Sequence, residues 1–155
     1  MNSKILNRVA LAKLLAQKRR GKKVVFTNGC FDMLHVGHVR LLKKAKSLGD
    51  VLIVGLNSDA SLRKLKGPGR PLVDEKSRAE VLAALSFVDY VVVFGEDTPA
   101  QTIKILKPEV LIKGGDYDIS EIVGRDMVKK VVRFPLVKGF STSSLIKKIV
   151  RVYGR

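Results

Sequence analysis

Five short apolar runs, each separated from the next by a helix-like stretch, leave this chain few folds to choose from. The runs are residues 24–27, 51–56, 90–94, 109–113 and 131–134, rich in Val, Ile, Leu and Phe and bounded by glycine or polar residues. Near-continuous apolar strands of this length are buried on both faces; a half-exposed strand would alternate. Residues 36–48 place Val39, Leu41, Leu42, Ala45 and Leu48 inward and Lys43, Lys44 and Lys46 outward, and Gly49 ends the helix. Asp74 is suited to cap a helix to about residue 86 with Val81, Leu82 and Leu85 inside. Thr98 is suited to cap another, with Pro99 at its first position, running to 107. Helices near 120–130 and from 141–144 to 151 complete the series. Strands alternating with helices predict an α/β chain whose parallel sheet is covered on both sides.

The chain has 155 residues, enough for one ordinary domain, and no linker or repeat divides it. Residues 1–21 carry six basic residues and no acid, and their uncharged stretches are too short for a signal-peptide core. Ile5, Leu6, Val9, Leu14 and Leu15 recur at helical spacing and predict a short amphipathic helix packed on the domain. No apolar run approaches the roughly 18–20 residues that span a bilayer. A single cysteine, Cys30, rules out an internal disulfide framework and fits a reducing cytoplasm. Lys and Arg total 30 against 14 acids, a formal charge of +16. The basic residues are scattered and not interleaved with aromatics, so they read mainly as solvated surface; a basic nucleic-acid-binding domain is the non-enzyme alternative.

In a parallel sheet, ligands bind outside the carboxyl ends of the strands. The polar clusters fall at such ends: Asn28 to Asp32, Asn57 to Asp59, Lys113 to Tyr117, and Gly139 to Ser144. After the first strand the sequence reads Gly29-Cys30-Phe31-Asp32-Met33-Leu34-His35-Val36-Gly37-His38, and the chain has no other histidine. Positions i and i+3 share a helix face. Two imidazoles at a helix start meet unpaired N–H groups and the positive end of the helix dipole, a combination suited to phosphate.

The Gly-x-Phe-Asp and His-x-Gly-His segments together resemble the HxGH nucleotidylyltransferases. That resemblance implies a Rossmann-like three-layer sandwich with a five-stranded, mostly parallel sheet. Asn57-Ser58-Asp59, the loop from Lys64 to Pro71, the run 110–117 and Gly139-Phe140-Ser141-Thr142-Ser143-Ser144 are similar, within that group, to heptose 1-phosphate adenylyltransferases. The resemblance implies transfer of AMP from ATP to D-glycero-D-manno-heptose 1-phosphate, giving ADP-heptose and pyrophosphate. In many bacteria this activity is one half of a bifunctional kinase/adenylyltransferase, so a stand-alone form is expected here. The alternatives are glycerol-3-phosphate cytidylyltransferase and FMN adenylyltransferase.

By this resemblance His35, His38 and Lys66 are the catalytic candidates. Thr27, Asn28, Gly29, Cys30, Phe31 and Gly37 line the phosphate turn. Lys113, Gly114, Gly115 and Asp116 face the nucleotide, and Ser141, Thr142 and Ser143 offer hydroxyls and N–H groups to the outer phosphates. Asp32, Asp59, Lys64 and Arg70 fall on the acceptor side. Asp32 also reads as a turn-holding residue and Asp59 as a helix cap; Arg78 either reaches the region of the basic loop or, the favoured reading, is a helix-surface arginine. Mg²⁺ is expected to arrive with ATP, with no dedicated metal site, and a homodimer or larger homo-oligomer is expected. Related cytidylyltransferases carry Arg-Thr-Glu before the last helix. Here those positions are Leu136, Val137 and Lys138, so the triphosphate-binding arginine has no counterpart.

Overall fold

The computed structural model describes residues 4–115 and 118–154. Its strands are β1 (Val24–Gly29), β2 (Val51–Asn57), β3 (Tyr90–Phe94), β4 (Val110–Gly114) and β5 (Lys130–Phe134). All pair in parallel, in the spatial order β3-β2-β1-β4-β5. The chain starts in the middle, winds to one edge, then returns to the other side of β1. The point of reversal lies between β1 and β4, where sheets of this kind open a ligand crevice.

Register gives that crevice its depth. β1 and β2 pair along six positions, from Val24↔Val51 to Gly29↔Leu56. β1 and β4 pair at only two, Val25↔Val110 and Phe26↔Leu111. Beyond them the two strands part, although β1 continues to Gly29 and β4 to Gly114.

The two-residue period of a strand sends alternate side chains to opposite layers. Val25, Leu52, Val54, Leu56, Val91 and Ile112 pack with Leu41, Leu42 and Ala45 of α2 (Val36–Lys46) and Ala79, Leu82 and Ala83 of α4 (Glu75–Ala84). Val24, Phe26, Ile53, Val92 and Leu111 pack with Leu11 and Leu15 of α1 (Arg8–Lys18) and Ile103 and Leu106 of α5 (Ala100–Leu106). Each fully buried Val, Leu, Ile or Phe among them contributes about 1.5–3 kcal/mol of transfer free energy. The remaining helices are α3 (Asp59–Lys66) and α6 (Thr142–Tyr153).

Several elements differ from the sequence expectation for identifiable reasons. The sheet is wholly parallel. Asn7 caps α1 by accepting from the Ala10 N–H, so the helix starts only at Arg8 and Ile5 bridges Val91 of β3. Leu11 and Leu15 therefore form the buried side of α1, while Val9 is exposed. The stretch 59–66 is a full helix, so the first three residues of the loop expected from Lys64 to Pro71 are its last turn. Val81 faces solvent and Arg78 is buried in its place. Pro99 is itself the N-cap of α5, with no side-chain cap. The expected helix at 120–130 is two separate 3₁₀ turns, Ile119–Glu121 and Arg125–Met127. Gly124 lies between them at φ +88°, and a Cβ there would sit 2.5 Å from Ile103 Cδ1. Only glycine takes that conformation without strain, and it interrupts any continuous helix.

Candidate active site

The turn after β1 is built around Phe31. Its backbone adopts φ +45°, uncommon for a bulky residue, and its ring is buried in the layer of α2 and α4. The ring lies 5.0 Å from that of His38 at a tilt of 57°. The strained residue thus forms an apolar wall against the imidazole.

The two histidines come together at the start of α2, His35 from the cap and His38 from the first turn. His35 is the N-cap of α2 (φ −137°, ψ 172°) and its ring folds back over the first turn. His35 Nδ1 accepts from the Gly37 N–H at 3.1 Å, and the His35 N–H donates to His38 Nδ1 at 3.4 Å. The rings stack with centroids 3.8 Å apart, 25° from parallel. With each Nδ1 an acceptor, this network assigns each neutral ring its proton on Nε2. Burial and the neighbouring His35 push the His38 pKa down to about 4 against an opposing contact with the Met33 carbonyl, and burial also lowers His35. Near neutral pH the pair is therefore two uncharged N–H donors.

Gly37 is required by this arrangement. A Cβ there would lie 2.9 Å from His35 Cε1 and 3.7 Å from the Phe140 carbonyl oxygen. The second contact brings the start of α6 beside the start of α2. Ser141 and Ser144 cap α6 reciprocally, each backbone N–H donating to the other's hydroxyl at 3.0 Å. Ser141 is thus the cap, and Thr142 and Ser143 open the helix. Two helix N-termini converge on one place, each favouring an anion.

Across the parted strands, Lys113 Nζ donates to Asn28 Oδ1 at 3.2 Å and approaches the Asn28 carbonyl oxygen at 3.4 Å. Cys30 lies nearby; burial raises its pKa, while Lys66, Arg78 and Lys113 pull the other way. A thiol held up in this manner is not an activated nucleophile. Gly29 ends β1, Gly114 ends β4, and the Gly115 N–H bonds the Phe134 carbonyl at 3.0 Å. Asp116 lies outside the described residues. Thr27 does not line the open turn: it is fully buried, and its hydroxyl has no hydrogen-bond partner among the described residues.

The expected acceptor-side carboxylates have structural partners. Asp32 accepts from the Leu72 and Val73 N–H groups at 2.8 and 3.0 Å and pairs with Arg70 Nε at 2.7 Å. It holds a loop forty positions away rather than its own turn. Ser58, not Asp59, caps α3; Asp59 pairs with Arg78 at 2.7 Å, and its N–H bonds Glu75. Lys64 turns toward Asp97 at 3.5 Å, an exposed pair worth little. Lys66 ends α3 within electrostatic reach of Cys30 and Lys113.

Arg78, for which the sequence favoured a surface position, is buried. Its side chain is 1% exposed. Nε donates to the Val73 carbonyl at 2.9 Å, one terminal nitrogen to the Cys30 carbonyl at 2.5 Å, and the other to Asp59 at 2.7 Å. One guanidinium thus ties the phosphate turn, α3 and the entry to α4 together. A planar five-donor fork is suited to three such partners, and lysine is not.

Strand, turn and helix start bring two imidazoles and the N-termini of two helices to one end of the parallel sheet, an arrangement suited to an anion. Residues 26–148 match the cytidylyltransferase-like family, and the chain belongs to it. Its relatives include the bifunctional protein HldE of Geobacter metallireducens, 58% identical over 99% of this chain. HldE of Wolinella succinogenes is 56% identical over 94% of it. The chain spans 32% and 31% of those two proteins. Among solved structures, a lipopolysaccharide core biosynthesis protein from Thermoplasma volcanium superposes with a TM-score of 0.67 and 30% identity, covering 76% of this chain and all of that one. Pantoate–β-alanine ligase from Francisella tularensis shares the fold alone: TM-score 0.62, 17% identity, 95% of this chain and 78% of that one.

Proposed function

We propose that the chain is an adenylyltransferase that transfers AMP from ATP to D-glycero-D-manno-heptose 1-phosphate, releasing pyrophosphate. The observation that carries the chemistry is the stacked, uncharged histidine pair at the start of α2. The kinship to HldE proteins supports the acceptor, and it favours neither glycerol 3-phosphate, FMN nor nucleic acid. The missing arginine at 136–138 also argues against the cytidylyltransferase reading.

In this reading an oxygen of the sugar phosphate attacks the α-phosphorus of ATP in line, and pyrophosphate leaves from the opposite side. Such a step depends on positioning and charge stabilisation more than on a covalent intermediate. His35 and His38 donate Nε2–H to phosphate oxygens as negative charge builds, without reorganising to do so. The N–H groups opening α2 and α6 receive the remaining phosphate oxygens. Lys66, at the end of α3 beside a glycine-containing loop, closes over the bound phosphates.

Among the described residues no three His, Cys, Asp or Glu gather into a metal site. A donor set of imidazoles and ammoniums suits an ion carried by the triphosphate rather than by side chains. Bound in that way, Mg²⁺ would neutralise bridging phosphate oxygens. The test is pyrophosphate release with Mg²⁺ and heptose 1-phosphate, comparing ATP with CTP. Release with ATP alone is expected; release with CTP alone, or with neither, overturns the reading.

A further inference from the structure

Of the α-helices described, α6 alone buries nothing. Each of α1 to α5 contains at least two buried residues, and α6 contains none. Its sequence is nevertheless patterned for burial. At about 100° per residue, Leu145, Ile146, Ile149, Val150, Val152 and Tyr153 fall within an arc of about 160°. The four from Ile149 onward face solvent, with Val150 61% and Tyr153 78% exposed. Lys147, Lys148 and Arg151 fill the rest of the circumference beside the stripe. Among the described residues none of these three pairs with a carboxylate.

Composition says what such a face fits. Residues 127–155 hold eight Lys and Arg and no Asp or Glu. α1 is also basic and acid-free, yet Leu11 and Leu15 are covered within the α1–α5 layer, so basic character does not by itself leave an apolar side bare. Whatever covers α6 must be apolar over the stripe and anionic along its edge. A second copy brings the same three cations and no acid on α6 to offset them, so paired helices would repel along their basic edges. An anionic bilayer surface provides both halves, acyl chains for the stripe and headgroup phosphates for the cations. No helix described is long and apolar enough to cross a membrane. At twelve residues α6 is about 18 Å long, a length suited to lying in the interface plane.

We propose that α6 is a membrane-surface helix whose apolar stripe enters the headgroup layer of an anionic bilayer while Lys147, Lys148 and Arg151 meet the lipid phosphates. The other end of the helix stays with the phosphate site, since the Phe140 carbonyl lies beside Gly37. Docking of α6 thus holds that site at the bilayer surface. The inference is independent of which phosphate the site uses as acceptor.

The test is co-flotation of the intact chain with vesicles of phosphatidylcholine and with vesicles of an equal mixture of phosphatidylcholine and phosphatidylglycerol. Binding to the mixed vesicles alone, weakening as salt is added, is expected; no binding to either overturns the proposal. The double variant Val150→Asn, Tyr153→Asn keeps every charge of the chain. Its partitioning should fall at least about tenfold, with the melting temperature nearly unchanged because both side chains are exposed. Wild-type binding by this variant would overturn the proposal, because the net charge rather than α6 would then carry the attraction. The chain has no tryptophan, so Tyr153→Trp places a single fluorescent reporter on the stripe. Its emission must move to the blue on adding the mixed vesicles, and emission that does not move overturns the proposal. Emission that is already blue without lipid and reddens as the protein is diluted also overturns it, by showing that a second copy covers the face.

Discussion

His38 combines three constraints in one side chain. Phe31 walls one side of its ring, His35 stacks on it, and its Nδ1 accepts from the His35 N–H. His38→Ala is therefore expected to lower turnover by about a hundred- to ten-thousandfold with the fold intact. Near-normal pyrophosphate release from the purified variant would remove the imidazole from the mechanism. The same burial sets a pH signature for stability. The unfolded imidazole titrates at about 6.5 and the folded one at about 4. Between those values the unfolded chain holds the extra proton. Stability is thus complete above the upper value and falls as pH drops through the window, by roughly 3 kcal/mol for a shift of this size. Urea midpoints of wild type and His38→Gln across that range would show it: the wild-type slope should flatten in the variant. A wild-type profile already flat there would mean that the ring is not held neutral.

At the scale of elements, one guanidinium holds the surroundings of the turn and one glycine shapes the connection from β4 to β5. Arg78→Met would leave Asp59 without its cation and the Cys30 and Val73 carbonyls without donors. Breaking a buried pair from one side costs about 3–5 kcal/mol, so chemical denaturation should show a loss of that order. A loss below about 1 kcal/mol would mean that water replaces the guanidinium. Gly124→Ala should cost at least about 1 kcal/mol, because the left-handed backbone and the Ile103 contact both resist a methyl group; an unchanged melting temperature would refute this. These two residues also mark where the sequence stops being legible. The five strands were readable because apolar runs that short and continuous have one destination, the middle of a sheet. The helix at 59–66 was hidden by its lysines and the glycine after them. The helix at 120–130 was over-read because Gly124 punctuates it without breaking the apolar pattern. Arg78 was unreadable because its partners Asp59 and Cys30 lie 19 and 48 positions away. The spacing of the histidines was visible, but not that His35 is a cap whose ring folds back.

For the molecule as a whole, the charge of +16 forms no block along the sequence, and the basic residues of the site are a small subset of it. More consequential is the two-position seam joining β1 to β4. It separates a β1–β2–β3 half, whose neighbours in space are consecutive in the chain, from a β4–β5 half whose partner β1 lies some 85 positions upstream. Closing the long connection carries its entropic cost before the few contacts that reward it. Assembly should therefore have an order: strands β1 to β3 with α2 and α4 gain protection from hydrogen exchange first, and β4 and β5 dock afterwards. Pulse-labelled exchange during refolding would reveal this as two groups of amides, and simultaneous protection would refute it. Because Lys113 and Asn28 meet across that seam, the crevice would be the last part of the protein to come into existence.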